Sequence, residues 1–214
     1  MLSTLKNSVP KLLRYVFLVL TVGGGLLVLL ELSAYLGIGS GHPFLRGEID
    51  TRHLAGPVQT MPLPGDGGQY RVYDFGERKL VLLDFPGMTG LLRLKHVAFL
   101  FFQNLGWVLI VFGLYQMFRI FKNLEHRATF AAENTRRIRW IAAAVPAYPV
   151  AGLVSDLLFK GIVSGLPGQE VLSTPGVVFS EQILLGGLLG LVIFALAEAF
   201  RYGTHLQQEQ DLTI

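Results

Sequence analysis

Four long apolar stretches dominate the hydrophobic pattern of this chain. They cover about residues 12–36, 97–118, 138–159 and 181–200, and polar or charged residues bound each of them. A helix needs about 20 apolar residues to cross the bilayer, so each stretch is long enough. Lipid offers no hydrogen-bond partner to the backbone of an open chain, so all four should be helices. The pattern predicts an all-α membrane protein with four transmembrane helices in a single domain, residues 1–214.

The connection between the first two helices, residues 37–92, is the longest polar segment. Its first half is rich in glycine and proline, which predicts irregular structure. In its second half, residues 69–75 largely alternate in polarity and residues 80–85 form an apolar run of strand length. We therefore expect a short β-hairpin. Because an isolated hairpin is marginal in water, it should lean on the membrane surface or on the connection that holds Pro167 and Pro175.

The distribution of lysine and arginine predicts the orientation of the helices. Only Lys160 lies in the connection between the third and fourth helices. Six cations lie in or just after the connection at residues 119–137, namely Arg119, Lys122, Arg127, Arg136, Arg137 and Arg139. Cytoplasmic loops carry such an excess of cations, so residues 119–137, both termini and the tail at 201–214 should be cytoplasmic. The segment from Arg46 to Lys95 carries seven cations and six acids, and long connections translocate with little regard to charge, so the loop at residues 37–92 should be extracytoplasmic.

Composition limits the chemistry that the chain can perform. Only 15% of its residues are charged, against about 25% in soluble domains. The net charge of +3 comes from cations that flank the apolar stretches, which favours the lipid bilayer as a partner over nucleic acid. The chain has no cysteine, and His42, Asp50 and His53 match no compact metal motif. We expect no metal and no cofactor.

Three acids near the ends of the stretches are expected at one depth, close to the outer interface: Glu31, Asp156 and Glu181. Burying an acid in lipid costs several kcal/mol, so each should have a partner or a function. Structural ion pairing is one hypothesis, and a cation or proton site is the other. The candidate partners at that depth are Arg93, Lys95, His96 and Lys160.

Other polar residues have simpler interpretations. Gln103 and Asn104 lie within the second stretch, where polar side chains commonly bond to neighbouring helices. The three histidines near the ends of the stretches, His96, His126 and His205, are expected to be interfacial residues.

Glycine and proline predict how the helices pack. Gly186, Gly187 and Gly190 place small residues three or four apart on the fourth helix, as at close helix contacts. Pro146 and Pro149 should bend the third helix, because each removes a backbone donor.

Two segments on the predicted cytoplasmic side extend the helices. Residues 130–140 indicate a helix that leads directly into the third stretch, with Glu133 and Arg137 four apart and able to pair. Arg136 and Arg139 suit lipid phosphates. Residues 194–214 continue the fourth helix beyond the membrane, and Glu198 can approach a cation three residues later, Arg201.

At these two segments the chain resembles the DUF2975 family, bacterial four-helix membrane proteins that are named for having no assigned function. The resemblance rests on ENTRRIR at residues 133–139 and on ALAEAFRYGTHLQQEQDLTI at residues 195–214. It implies a multi-pass protein of the bacterial inner or plasma membrane. It also implies an association with a small helix-turn-helix regulator, because family members are often encoded beside one.

The leading functional hypothesis is a membrane-bound signalling or regulatory partner that binds a soluble cytoplasmic protein. The tail should dock on residues 130–139, with Arg136 or Arg137 meeting Glu198, Glu209 or Asp211. The candidate partner-binding residues are Glu133, Asn134, Arg136, Arg137, Glu198, Phe200, Arg201, Leu206, Glu209, Asp211, Leu212 and Ile214. The alternative is a small solute or ion transporter or channel that acts as a homo-oligomer. No phosphate loop, zinc motif or nucleophile elbow is present, so we do not expect an enzyme.

Overall fold

The described part of the chain consists of four long helices and a small sheet. The computed structural model describes residues 2–38, 43–50, 59–62, 69–74, 78–87, 91–125, 132–164 and 181–211. The helices within those ranges are α1 (Leu2–Tyr35), α2 (Leu94–Glu125), α3 (Ala132–Val163) and α4 (Glu181–Asp211). They confirm the four predicted stretches and the two predicted extensions, since α3 begins well before residue 138 and α4 runs well past residue 200.

All four helices are long and apolar enough to cross a membrane. The apolar spans are Val9–Tyr35, Leu94–Glu125, Glu133–Val163 and Ile183–Gly203. Large apolar side chains project outward along them; Leu29 of α1 is 64% exposed and Leu191 of α4 is 67% exposed. Soluble monomers rarely expose contiguous apolar surface of this kind, whereas lipid is a suitable solvent for it. The chain therefore has the helices of a multi-pass membrane protein.

The chain forms two compact units. The four-helix unit comprises Met1–Leu27, Gly106–Val150 and Phe179–Ile214, and the sheet unit comprises Val28–Leu105 and Ala151–Val178. Helices α1, α2 and α3 contribute residues to both.

The sheet unit contains four antiparallel strands in the order β1-β4-β3-β2. They are β1 (Phe44–Asp50), β2 (Gln59–Pro62), β3 (Gln69–Asp74) and β4 (Arg78–Asp84). Strands β3 and β4 form the predicted hairpin, with Gln69 opposite Asp84 and Asp74 opposite Lys79.

The expectation that the first half of the connection is irregular was wrong, because β1 pairs with β4 and β2 pairs with β3. In the sequence of β1, Leu45 and Ile49 are four positions apart, a spacing typical of one face of a half-buried strand. The surrounding glycines and prolines obscured that signal. Strand β2 ends in Pro62 at the edge of the sheet, where a missing backbone donor is tolerated.

One face of the sheet packs into an apolar core. Leu83 of β4 lies opposite both Leu45 of β1 and Tyr70 of β3, and all three side chains are buried. The same core contains Phe99 of α2 and Phe159 of α3, whose ring centroids lie 5.1 Å apart. The sheet is thus anchored on these helices. The expected support from Pro167 and Pro175 falls on residues outside the described ranges.

Two polar contacts in the sheet unit bear on the sequence predictions. The Ser155 hydroxyl donates to Gln103 Oε1 over 2.8 Å, which confirms that Gln103 bonds to a neighbouring helix. Asn104 instead donates to the carbonyl of Leu100 in its own helix, so the corresponding expectation for Asn104 was wrong. An amide that faces its own preceding turn can reach the carbonyl four residues back, and that bond competes with one to another helix.

His96 is a second correction in this unit. It was expected to be interfacial, but its ring is buried, with its centroid 5.1 Å from that of Phe85. The core of the sheet reaches the first turn of α2 and covers the imidazole. His126 lies outside the described residues, as does the side chain of His205.

In the four-helix unit, consecutive helices pack as antiparallel pairs. The α1–α2 pair is joined by stacked rings of Phe17 and Phe121, whose centroids lie 5.3 Å apart. The α2–α3 pair brings Phe112 and Trp140 edge to face at 6.4 Å. Aromatic pairs in these geometries add to the stabilisation from packing alone.

Small residues permit the close approach of α3 and α4. A Cβ atom on Gly190 would lie 2.9 Å from both the Ala142 carbonyl oxygen and Pro146 Cδ, and one on Gly186 would lie 2.9 Å from Pro149 Cγ. These contacts confirm Gly186 and Gly190 as packing positions. The third predicted glycine, Gly187, is not one, because a Cβ there would meet nothing within 4 Å. The predicted bend at Pro146 and Pro149 stays a prediction.

Candidate functional site

A polar network joins the helix ends of the four-helix unit at the residues that the sequence singled out. Helix α3 begins at Ala132 and carries Glu133 in its first turn, where an acid is favoured by the helix dipole. Glu133 accepts a hydrogen bond from Arg137 Nη2 over 2.7 Å, which confirms the predicted pair. Glu133 is largely exposed, so this pair contributes little to stability.

Asn134 is the buried centre of the network, with only 1% of its surface exposed. Its side-chain oxygen accepts from Asn123 Nδ2 of α2 over 2.8 Å and from Arg137 Nη1 over 3.3 Å. A buried polar side chain must be bonded, and here the bonds join α2 to α3. Asn134 is thus part of the framework, and its predicted role in binding a partner stays untested.

Arg137 extends the junction between α2 and α3. Its Nη1 also lies 3.4 Å from the carbonyl oxygen of Arg119 on α2. The Arg137 guanidinium therefore donates to the Glu133 carboxylate on its own helix. It also donates to the Asn134 side chain and the Arg119 carbonyl at the helix junction.

Glu198 of α4 is shared by two arginines. It accepts from Arg139 Nη2 of α3 over 2.5 Å and from Arg201 Nη2 of its own helix over 2.9 Å. The second contact confirms the predicted pair between Glu198 and Arg201. The structure therefore contains a three-residue junction between α3 and α4.

The cation that reaches Glu198 was predicted wrongly. We expected Arg136 or Arg137, but Arg139 makes the contact. Arg137 points towards α2, and a residue two positions later lies about 200° further around the helix, on the side of α4. Arg139 is thereby held by a carboxylate, which departs from the expectation that it faces lipid phosphate.

A third junction, between α1 and α2, was missed by the sequence reasoning. Glu125 near the end of α2 accepts from Arg14 Nη1 over 2.7 Å and has Lys11 Nζ at 3.9 Å. Lys11 directly precedes the first apolar stretch, Arg14 lies in its first turn, and Glu125 is the last residue of α2. Because successive transmembrane helices run in opposite directions, the start of α1 lies beside the end of α2. This alternation is the feature of the sequence that could have indicated the contact.

The tail residues are only partly described. Phe200 is partly buried and Glu209 is exposed on α4. The side chains of Leu206 and Asp211 lie outside the description, and so do Leu212 and Ile214 altogether. The described contacts of Glu198 and Arg201 lie at the base of α4, and docking of the tail beyond them stays a prediction.

Each of the four helices carries an exposed aromatic residue beside the polar network. They are Tyr15, Tyr115, Trp140 and Tyr202, with exposures from 41% to 64%. Arginine guanidiniums lie over three of these rings, Arg14 over Tyr15, Arg119 over Tyr115 and Arg201 over Tyr202, at 5.5 to 5.9 Å. Tyrosine and tryptophan are enriched where a membrane meets water, and these four residues have the composition expected at such an interface.

The three predicted acids are not brought together within one unit. Glu31 and Asp156 belong to the sheet unit, whereas Glu181 belongs to the four-helix unit and its side chain is not described. Glu31 accepts a hydrogen bond of 3.3 Å from the hydroxyl of Tyr35, one turn later on α1. The proposed gathering of acids at one depth stays a prediction.

Outside the spans, the described side chains of the sheet include a group with a raised pKa and an ion pair. Burial raises the pKa of Tyr70 above its ordinary value. Arg71 of β3 binds Asp84 of β4, with Arg71 Nε 3.0 Å from Asp84 Oδ2. No group of three His, Asp or Glu that could hold a metal is found within the described ranges, and His42 and His53 fall outside them.

Comparison with known proteins identifies one family. Its sequence profile, described as "Protein of unknown function (DUF2975)", matches residues 70–214. The match begins at β3 and includes β4, α2, α3 and α4. It therefore contains the motifs at residues 133–139 and 195–214, whose side chains contribute to the polar network. No curated protein and no solved structure matches the chain. Because the matched region covers well over half of the sequence, the chain belongs to the DUF2975 family.

Proposed function

We propose that the protein is a membrane-anchored docking protein with a signalling or regulatory role, which holds a soluble cytoplasmic protein on the extension of α4. One observation carries this proposal. Helix α4 continues to Asp211, eleven residues beyond residue 200, where the apolar stretch of the sequence ends. Eleven helical residues extend about 16 Å, which is enough to present three turns to a partner.

The junction at Glu198 supports this role. It ties the base of the extension to Arg139 of α3, so the extension leaves the bundle in a defined direction. A helix with a fixed base loses less conformational freedom on binding than a free tail does. Partners recognise such elements as a helix in a groove.

The orientation is part of the proposal. The excess of cations at residues 119–139 supports a cytoplasmic position for the polar network and both termini. The family resemblance supports a bacterial inner or plasma membrane. Residues 37–92 then lie outside and supply or receive the input. The first candidate partner is a small helix-turn-helix regulator, because the family resemblance implies one; binding of the chain itself to nucleic acid and catalysis are not proposed.

A transporter or channel is the second candidate, and Glu31 is the observation that favours it. This acid lies within the Val9–Tyr35 span, and its partner Tyr35 is held at the long distance of 3.3 Å. Ionisable groups within spans often mark ion or proton pathways. Four spans would need a second copy of the chain to complete a pathway.

Site-specific photocrosslinking in native cells tests the docking proposal. A photoreactive amino acid replaces Glu209, which is exposed on the extension, and a matched control replaces Leu184, which is exposed within the span. The expected result is a soluble protein attached at position 209 and none at position 184. Removal of residues 208–214 should leave membrane insertion and helix content intact but prevent the protein from being recovered with its partner.

Two outcomes contradict the proposal. If position 209 attaches only to copies of this chain, a homo-oligomer is indicated, as the transporter alternative requires. If the truncated protein is recovered with the same soluble partners as the full chain, the extension is not the docking element.

A further inference from the structure

Among the side chains of the four-helix unit that the structure describes up to Gly203, cations outnumber acids. These side chains include three acids, and each is already engaged: Glu125 by Arg14 and Lys11, Glu133 by Arg137, and Glu198 by Arg139 and Arg201. The cations that remain without a carboxylate among these side chains are Arg119, Lys122 and Arg136.

The three remaining cations lie at the junction of α2 and α3. Arg119 and Lys122 are one turn apart on α2. The bond from Arg137 to the carbonyl of Arg119 places that turn against the part of α3 that carries Arg136. Lys122 and Arg136 are exposed. A local charge of +3 therefore stands at one helix junction.

Aromatic residues beside these cations place them at the level of lipid headgroups. Trp140 follows Arg136 by four residues on α3, so the two lie on one face, and the indole is 50% exposed. Tyr115 precedes Arg119 by four residues on α2, with the guanidinium 5.9 Å from the ring centroid. Such aromatic residues sit where the acyl chains end and the headgroups begin.

We propose that Arg119, Lys122 and Arg136 bind the phosphate of an anionic phospholipid headgroup, with Trp140 against the upper part of its acyl chains. A guanidinium offers paired donors to phosphate oxygens and a lysine adds a point charge. The neighbouring apolar surface gives the acyl chains a place to pack, which a free phosphate cannot use. This inference rests on insertion of the helices in a bilayer and is independent of the soluble partner.

Fluorescence quenching in lipid nanodiscs tests the site. The chain has two tryptophans, Trp107 and Trp140, so Trp107→Phe leaves Trp140 as a single reporter. The probes are phosphatidylglycerol and phosphatidylcholine, each brominated near the top of its acyl chains. Bromine quenches tryptophan only at close range, so the ratio of the two quenching curves gives the relative affinity of the site for the anionic lipid.

The expected result is a preference for phosphatidylglycerol at Trp140. A cation near the membrane surface is worth about a fivefold change in the affinity for anionic lipid, so Arg136→Gln should lower the preference about fivefold and Lys122→Gln by a similar factor. The double variant should lose about 25-fold and keep at most the roughly fivefold preference that Arg119 alone provides. The matched control is Lys95→Gln, an exposed cation of the sheet unit, which should leave the preference unchanged. Both tested residues are exposed, and circular dichroism verifies that the variants keep their helices.

Three outcomes would overturn the inference. Equal quenching by the two lipids would show that the cations select no headgroup. Loss of the preference in excess inorganic phosphate at constant ionic strength would indicate a site for soluble anions. An unchanged preference in the double variant, together with loss of the crosslinked soluble protein, would assign these cations to the protein-binding surface.

Discussion

Arg139 and Glu198 form the contact that joins α3 to α4, with Arg139 Nη2 and Glu198 Oε1 2.5 Å apart. The residues are 59 positions apart in the chain, and the same carboxylate also receives Arg201. Arg139 belongs to the ENTRRIR motif and Glu198 belongs to the tail motif. The two segments that carry the family resemblance thus meet in one ion pair.

Removal of the charge at Glu198 should loosen this junction. Glu198 is 26% exposed and Arg139 is 40% exposed, so solvent screens the pair and Glu198→Gln should cost only about 1 kcal/mol of unfolding free energy. The control is Glu133→Gln, which breaks a pair within one helix that is worth about 0.3 kcal/mol. Thermal unfolding in detergent measures both. Equal midpoints for the two variants would show that the junction adds nothing beyond a local pair.

Close packing of α3 and α4 gives a second prediction. Gly190→Ala places a methyl group 2.9 Å from the Ala142 carbonyl oxygen and from Pro146 Cδ, so the helices must move apart. We expect a loss of about 1–3 kcal/mol, typical of overpacking. Gly187→Ala meets nothing within 4 Å and should be neutral or stabilising by up to about 1 kcal/mol. Denaturant titration in mixed micelles compares the two, and a greater loss from Gly187→Ala would contradict the packing.

The helices could be predicted from the sequence because lipid imposes one requirement on all of them. Apolar length alone marks a span, and the polar extensions at residues 132–137 and 201–211 follow from helix-compatible residues that contain no proline and a single glycine, Gly203. The β3–β4 hairpin could also be predicted, because its two strands are separated by only a short turn. Strand β1 was missed because it pairs with the distant strand β4. Strand β2 was missed because it has only four residues and is followed by the glycine- and proline-rich residues 63–68.

The polar network could be predicted only in part, for geometric reasons. Pairs within one helix, Glu133 with Arg137 and Glu198 with Arg201, follow from a spacing of three or four residues. Contacts between helices depend on the rotation of each helix about its axis, which the sequence does not fix. The rotation of α3 brings Arg139 into contact with Glu198 and buries Asn134.

The buried tyrosine of the sheet predicts a dependence of stability on alkaline pH. Burial raises the pKa of Tyr70, so the folded protein keeps this proton at a pH where the unfolded chain, with its pKa near 10, loses it. The associated stability is fully present below about pH 10 and is lost as the pH rises towards the folded pKa. Denaturation midpoints between pH 8 and 11 measure the decline. Tyr70→Phe should flatten it, whereas Tyr202→Phe, an exposed control, should not. If Tyr70→Phe leaves the decline unchanged, a group other than Tyr70 causes the loss of stability at alkaline pH.

Accessibility of introduced cysteines tests the proposed orientation. The chain has no cysteine, so Lys122→Cys on α2 and Gln69→Cys on β3 each give one labelling site, and both positions are exposed. In intact cells an impermeant maleimide should label position 69 only, because the cations around position 122 resist translocation. Permeabilised cells, in which both positions should react, are the control. Labelling of position 122 in intact cells would invert the topology.

Glu31 decides between a structural acid and a transport pathway. The hydroxyl of Tyr35 donates to Glu31 Oε1 over 3.3 Å, and both residues lie in the Val9–Tyr35 span. Glu31→Gln keeps an oxygen that can accept this bond, so a structural acid predicts a stability loss of about 1 kcal/mol or less. Ion and proton flux in liposomes should stay at the background level in the wild type and in the variant. Tyr35→Phe is the matched control, because it removes the bond and keeps the acid. A different result would support transport: the wild type carries a proton or cation flux, Glu31→Gln abolishes that flux, and Tyr35→Phe leaves the flux intact. Glu31 would then belong to a pathway, and the transporter alternative would replace the docking function.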